Sequence, residues 1–457
     1  MPAPAAAPAL PPTAPVSDET RLAYVLRHFG LAYAGVPGHL IGYAGNQLPV
    51  TVAPGSADFF TQNQPYPPAP YWREWRGQRV PFFFDAGAQP LLTLTPGRAE
   101  ISADVVSAAF YLLSGWQEFF SDARDRHGRF PYAASVQARY GFVALPVVNY
   151  YFDVLKTAVE HATGQPLRPR PWAPGAPFAA FISHDVDNLH GGWKAPAKAA
   201  LRAGRPLAFA RQLWRHWTRP DAWDNLEAVA TATAQHGARS TFFVLPQHRP
   251  GADGTPNADY RLTPRLWQRL GNLAKQGHEM ALHASIGTAD NFARFDAERQ
   301  IVLDAEWCGN RFHYLRWESR LTPSILNQAG DSYDSTLGFA EHFGFRNSYC
   351  HPFFPFDFQH GQAHCFLEIP LNVMDTTLHH PSYLQLGPAE ILPALTPMLA
   401  EVEKFGGVAS VLWHNQNFDP ANVANGPRQF HEIMGWLRGR GAAFLTGAEI
   451  WARFPAA

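Results

Sequence analysis

Cysteine is scarce in this chain, and the little there is forms no pattern. Cys308, Cys350 and Cys365 are odd in number, and none lies in a CxxC spacing. The sequence therefore offers neither a disulfide framework nor a thiolate metal site, and reduced thiols are expected. Charge is sparse as well: 16% of residues are charged and the net charge is -1. With no Lys/Arg run, broad electrostatic capture of nucleic acid or of an anionic membrane is not expected. No apolar run is long enough to span a bilayer, so no transmembrane segment is expected. The Ala/Pro-rich stretch Met1 to Pro15 lacks the basic start and unbroken apolar core of a secretory signal. It reads as a flexible tail extending through residue 19, and cytoplasmic residence is the expectation.

What the chain has in quantity is apolar and aromatic side chains. Hydrophobic residues make up 46% of its 457 positions and there are 14 Trp, enough to fill two cores. This composition fits a globular enzyme or binder and not a disordered chain. The clearest internal boundary is Gly164 to Pro177, whose five prolines forbid regular helix and predict a stiff connector. The expected organisation is a tail (1–19), an N-terminal α+β domain of unknown function (20–163), a Pro-rich linker (164–177) and a C-terminal domain (178–457). In the N-terminal domain Asp104 to Phe120 reads as one helix, capped by Asp104, with Val105, Ala109, Leu112, Leu113 and Trp116 at helical spacing.

Beyond the linker, strand-like runs alternate with helices. The strands expected are Phe178–Ser183, Ser240–Leu245, Glu279–His283, His313–Trp317, Ser332–Leu337, Phe366–Val373, Val408–Trp413 and Ala442–Leu445. Thr263-Pro264 and Thr322-Pro323 open helices that Gly277 and Gly330 close, the usual placement of Pro and Gly. Such alternation predicts a parallel sheet with helices outside it, and seven or eight units predict a (β/α)7-8 barrel, with a doubly wound sheet as the alternative.

In a β/α barrel the chemistry sits where the strands end. The residues there are His184-Asp185-Val186-Asp187, Gln247-His248, His283, Arg316-Trp317-Glu318, Asp334, Asp375 and Trp413-His414. Asp and His are good ligands for a divalent ion such as zinc, which activates water for hydrolysis. A second carboxylate can take the proton from that water, another His can protonate a leaving group, and Arg can fix a carboxylate. Trp317 and Trp413 offer flat faces on which a sugar ring can stack.

His184-Asp-Val-Asp187, Gly277-His-Glu-Met-Ala-Leu-His283, Arg316 and Val411-Leu-Trp-His414 stand in an order that resembles the polysaccharide deacetylase superfamily (carbohydrate esterase family 4). The resemblance covers roughly residues 175 to 450. It is greatest to the branch with a His-Asp-Val-Asp first motif. Asp104 to Glu118, with His127-Gly-Arg-Phe-Pro131, resembles the uncharacterised N-terminal domain of that branch. The resemblance implies a distorted β/α barrel and metal-dependent removal of acetyl groups from a glycan or its sugar precursor. It implies Asp185 as general base, His414 as general acid, Arg316 as the residue orienting the base, and Asp187 and His283 as ligands of a divalent ion, zinc above others.

One position departs from the family. Four residues after His283, where a second metal His belongs, stands Gly287. Either a third ligand comes from Asp290, His184 or His248, or the barrel is a non-catalytic glycan-binding or assembly protein. A metal hydrolase acting on a small amide is a further alternative, since the barrel supports many chemistries.

Overall fold

The computed structural model describes residues 5–302 and 307–454. The first four residues of the expected tail and residues 455–457 of the expected C-terminal domain lie outside these. Eight parallel strands form the centre of the C-terminal region. They are β1 (Ala179–Val186), β2 (Thr241–Val244), β3 (Glu279–Ala284), β4 (Gly309–Phe312), β5 (Tyr333–Asp334), β6 (Leu367–Glu368), β7 (Val373–Met374) and β8 (Val408–Leu412). The sheet order is β6-β5-β4-β3-β2-β1-β8-β7, and a ninth strand, β9 (Ala443–Phe444), pairs with the start of β1. Every residue of β1 is buried, as expected of a strand covered on both faces.

The expected single strand Phe366–Val373 is split, and the split closes the barrel. Its first half pairs with β5 and its second half with β8. Between them Ile369 N–H donates to Asp334 O at 2.8 Å and Leu371 N–H to Leu337 O at 3.0 Å, before Asn372 N–H turns to Ser410 O. One extended segment thus hands its hydrogen bonds from one edge of the sheet to the other. The fold is a distorted β/α barrel.

The period-2 alternation of strands decides which side chains enter the barrel. Phe181, Phe243, Ala281, Tyr333 and Leu367 fill the interior in one cluster. Their neighbours Ile182, Phe242 and Leu282 face the surrounding helices in another. Counting on by two from Phe181 gives Ser183, Asp185 and Asp187 on the inner side; counting from Ile182 gives His184 on the outer.

The expected strand His313–Trp317 is displaced. The chain is extended over Gly309–Phe312, then turns at His313–Leu315, where Tyr314 and Leu315 adopt φ of 60° and 52°. The true strand carries polar Asn310 and Arg311, whereas the strand-forming types Tyr314, Leu315 and Trp317 lie beyond it. Gly309 opens that strand because a Cβ there would lie 2.1 Å from the Tyr333 ring.

The N-terminal region holds a four-stranded sheet, a hairpin at Tyr71–Phe82 and the helix Val147–Thr163. Asp104 caps its helix by accepting from Ser107 N–H at 2.9 Å, but Gly115, at φ 72°, divides the expected helix into Val105–Leu113 and Trp116–Phe120. Two buried bidentate ion pairs join this region to the barrel. Arg346 grips Glu118 at 2.6 and 2.8 Å, and Arg124 grips Glu318 at 2.7 Å through two nitrogens. In the linker, Arg168–Pro169 pairs antiparallel with Tyr33–Ala34. Of the expected tail, Ala14 N–H donates to Phe358 O at 2.8 Å, and the first helix begins at Asp18. The three cysteines are unpaired.

Candidate active site

A cavity of about 300 Å³ opens at the C-terminal ends of the strands, lined among others by Asp185, Asp187, His283, His313 and His414. One ligand atom from each of Asp187, His283 and His313 lies within 4.8 Å of the others. His283 donates Nδ1–H to Arg311 O at 2.9 Å, so its Nε2 faces Asp187 Oδ1 at 3.3 Å with its lone pair. His313 donates Nδ1–H to Asn257 Oδ1 at 3.2 Å, and its Nε2 lies 3.6 Å from the same Asp187 oxygen. These outer partners fix the tautomers, as they do around metal-bound imidazoles. Asp187 Oδ1 is buried without a hydrogen-bond donor among the described residues. Two imidazole lone pairs and an unsatisfied carboxylate oxygen fit a divalent cation, with room left for water in the coordination sphere.

Electrostatics separate the imidazoles. Burial pushes His313 down to about 4, the neutral state a ligand needs. Burial also opposes the charge on His283, but Asp185 and Asp187 outweigh it and raise this imidazole. Asp187 itself, despite burial, is lowered by His313, His283 and His414.

Asp185 lies beside this triangle, its Oδ2 3.5 Å from His283 Nε2. Its other oxygen accepts from Arg311 at 2.8 Å. Arg311 is fully buried and further fixed by Ser183 Oγ at 3.0 Å, Ser335 O at 2.8 Å and the Phe243 ring beneath it. His414 lies on the other oxygen of Asp187, with Nε2 3.6 Å from Oδ2, and donates Nδ1–H to Asp375 Oδ1 at 2.7 Å. Asp375 is itself fixed by the His414 backbone N–H and by Asn417, both at 2.6 Å. Burial disfavours charge on His414, but Asp375, with Asp187 and Asp185, raises it to about 10.

The structure thus gathers Asp185, Asp187, His283 and His414 from the sequence reading and disperses the rest. Arg316 does not reach Asp185; it pairs with Asp290 at 2.6 Å on the rim, which also takes Asp290 away from the cation triangle. His184 is on the outer face of β1, donating to Trp413 O at 2.7 Å and touching Thr233 Oγ1 at 3.2 Å. His248 is half-buried and does not line the cavity. Trp413 is fully buried against Phe430, and Trp317 is buried near Phe366, so neither face is open to a sugar. Gly287 sits in a turn at φ 89°, where a Cβ would crowd Arg294.

Three residues escaped the sequence reading: Arg311, His313 and Asp375 in its present role. Arg311 on β4 and His313 just beyond its end stand two apart on the same inner side, and alternation would have found them once that strand was placed correctly. Asp375 was visible as a strand-end carboxylate, but nothing local points it at His414. The N-terminal region also reaches the cavity. Arg126, His127 and Arg129 line it, His127 stacks on Tyr314 at 5.0 Å, and Arg129 donates to Tyr314 O at 2.8 Å.

Residues 31–164 match a family of unknown function, DUF7033. No curated protein matches the chain. Among solved structures, a protein described as a polysaccharide deacetylase from Mycobacterium smegmatis is 18% identical, with 64% of this chain and 97% of the other covered and a TM-score of 0.40. A PuuE allantoinase is 13% identical over 63% of this chain and 93% of its own, with a TM-score of 0.40. A further polysaccharide deacetylase, from Pseudomonas aeruginosa PAO1, is 12% identical over 63% and 94%, again with a TM-score of 0.40.

Proposed function

We propose that this chain is a metal-dependent hydrolase that removes the acetyl group from an acetamido sugar in a polysaccharide or its precursor. The observation that carries the reading is the meeting of two oriented pairs, Arg311–Asp185 and Asp375–His414, on one Asp187–His283–His313 triangle. The chemistry a bound divalent cation supplies is polarisation of a carbonyl and acidification of water. Two imidazoles and one carboxylate are a donor set suited to zinc.

Asp185, held by Arg311, takes the proton of the water that attacks the acetamide carbon. His414, held protonated by Asp375, delivers a proton to the nitrogen as the C–N bond breaks. Acetate and a free amino sugar leave. The non-catalytic reading drew on Gly287 and its missing imidazole; His313 from the next strand offers the third donor instead, so that observation no longer favours it.

The test is turnover on N-acetylated oligosaccharides with and without chelator, in the wild type and Asp185→Asn. Chelator-sensitive acetate release is expected, with kcat lowered about 10²–10⁴-fold in the variant and KM little changed. Release from small amides but from no acetylated sugar, or full turnover in Asp185→Asn, would overturn the assignment.

A further inference from the structure

Between β1 and the helix Leu226–Ala234 the chain inserts a helical hairpin, Lys194–Arg202 and Pro206–Thr218. Its second helix has no buried residue. Leu207, Ala210, Trp214 and Trp217 recur at spacings of three, four and three, which places them on one helical stripe. That stripe faces solvent: Leu207 is 87% exposed, Trp214 58% and Trp217 77%, and Leu201 of the first helix is 62% exposed. The opposite side is tied down, with His216 stacked on Trp193 at 4.5 Å.

The charge on this hairpin is of one sign. From residue 194 to 219 there are Lys194, Lys198, Arg202, Arg205, Arg211, Arg215 and Arg219, all exposed, and no Asp or Glu. None of the seven makes an ion pair among the described residues. Spaced three to six apart they form no run in sequence, but all seven stand on or at the ends of the same two helices that carry the apolar stripe. In a chain of net charge -1 this is a strong local asymmetry. Seven like charges oppose docking of a second copy, and a buried protein partner would leave them desolvated.

We infer that the hairpin Lys194–Thr218 is a docking element for an anionic lipid surface, its Leu/Trp stripe seated among the acyl chains and its cations on the head groups. An amphipathic basic helix with Trp and Leu on one face lies in the plane of such an interface. No helix among the described residues is long and apolar enough to cross a membrane, so the contact is peripheral. Both feet of the insertion stand beside the cavity. Asn188, which lines it, and Trp223 are joined by Asn415, whose side chain donates to their carbonyls at 2.9 and 2.8 Å next to His414. Docking therefore sets the mouth near the lipid, where a glycan on a lipid carrier would present its acetamido group. Only that last step rests on the proposed deacetylase.

The full-length chain is sedimented with vesicles of phosphatidylcholine alone or mixed with phosphatidylglycerol. Binding confined to the anionic vesicles and weakened by salt is expected. Arg211→Glu/Arg215→Glu should lower it at least about 25-fold, from roughly fivefold per cation. Trp214→Ser/Trp217→Ser should lower it about tenfold or more, with unchanged thermal unfolding since neither ring is packed. Both variants should keep wild-type turnover on a soluble acetylated oligosaccharide, which separates this result from the fate of the deacetylase reading. Equal binding to neutral vesicles, no binding to anionic ones at low salt, or binding that survives both variants would overturn the inference. So would DNA or heparin binding that matches the vesicle affinity and ignores the Trp pair, because the surface would then be a general polyanion patch.

Discussion

Replacing Arg311 by Met should cost far more than replacing Arg316 by Met, although the sequence makes Arg316 the more conspicuous residue. Arg311 is fully buried, and its guanidinium makes four hydrogen bonds, to Asp185, Ser183 Oγ, Ser335 O and Ser335 Oγ. Met fills a similar volume over Phe243 but supplies no charge. Asp185, 2% exposed, would then be a buried carboxylate without its guanidinium. Breaking such a pair from one side costs about 3–5 kcal/mol. Arg316 and Asp290 are partly exposed, and a pair of that kind contributes about 0–1 kcal/mol. Urea unfolding of the two variants beside wild type measures the difference, read as midpoint shifts because a chain of this size need not unfold in two states. Acetate release gives a second readout: Arg311→Met should lower kcat, and Arg316→Met should leave it within a few-fold. Equal midpoints and equal kcat for the two variants would refute the assignment of Arg311 to the base.

Further outcomes follow from other parts of the site and fold. Elemental analysis should find the metal content of purified protein lost in His313→Ala and kept in Asp290→Ala and His248→Ala. Breaking the interface with Glu118→Ala should destabilise by about 3–5 kcal/mol, because Arg346, 2% exposed, is left without a carboxylate; limited proteolysis should then cut the N-terminal region sooner. His28 is locked neutral between Tyr24 O and Phe354 N–H, and burial pushes it down to about 3 from 6.5. Its folded pKa is depressed, so its contribution is complete above 6.5 and shrinks as pH falls toward 3. The destabilisation caused by His28→Gln, measured by urea midpoints, should therefore be about 2 kcal/mol smaller at pH 5 than at pH 7.5.

The parts of the fold that were legible are those where one local rule acted alone. β1 opens on the apolar run Ala179–Ile182 after Pro177, β8 is apolar but for Ser410 and follows Gly406-Gly407, and both lie where the pattern sets them to within a few residues. β4 was not legible, because two of its four residues, Asn310 and Arg311, are polar. They are tolerated in a buried strand only through partners distant in sequence: Asp334 for Asn310, and Asp185 with Ser335 for Arg311. A pattern that weighs each residue by its own polarity cannot see a partner 24 or 126 positions away. The same limit hid Asp375, whose bond to His414 spans 39 positions.

With β4 shifted by four residues, Arg316 took the place of Arg311, and His313 became the start of a strand instead of the residue just beyond its end. With no side chain at Gly287, the third ligand was then sought at Asp290, His184 or His248, or the barrel taken as non-catalytic. In the structure His283 and His313 reach one point from neighbouring strands, a spacing no i,i+4 motif describes. The alternation that carries Asp185 and Asp187 inward and His184 outward is the same rule that selects Arg311 and His313. Applied strand by strand it yields the whole inner ring except Asp375, so the limiting step in reading this site was the register of a single four-residue strand.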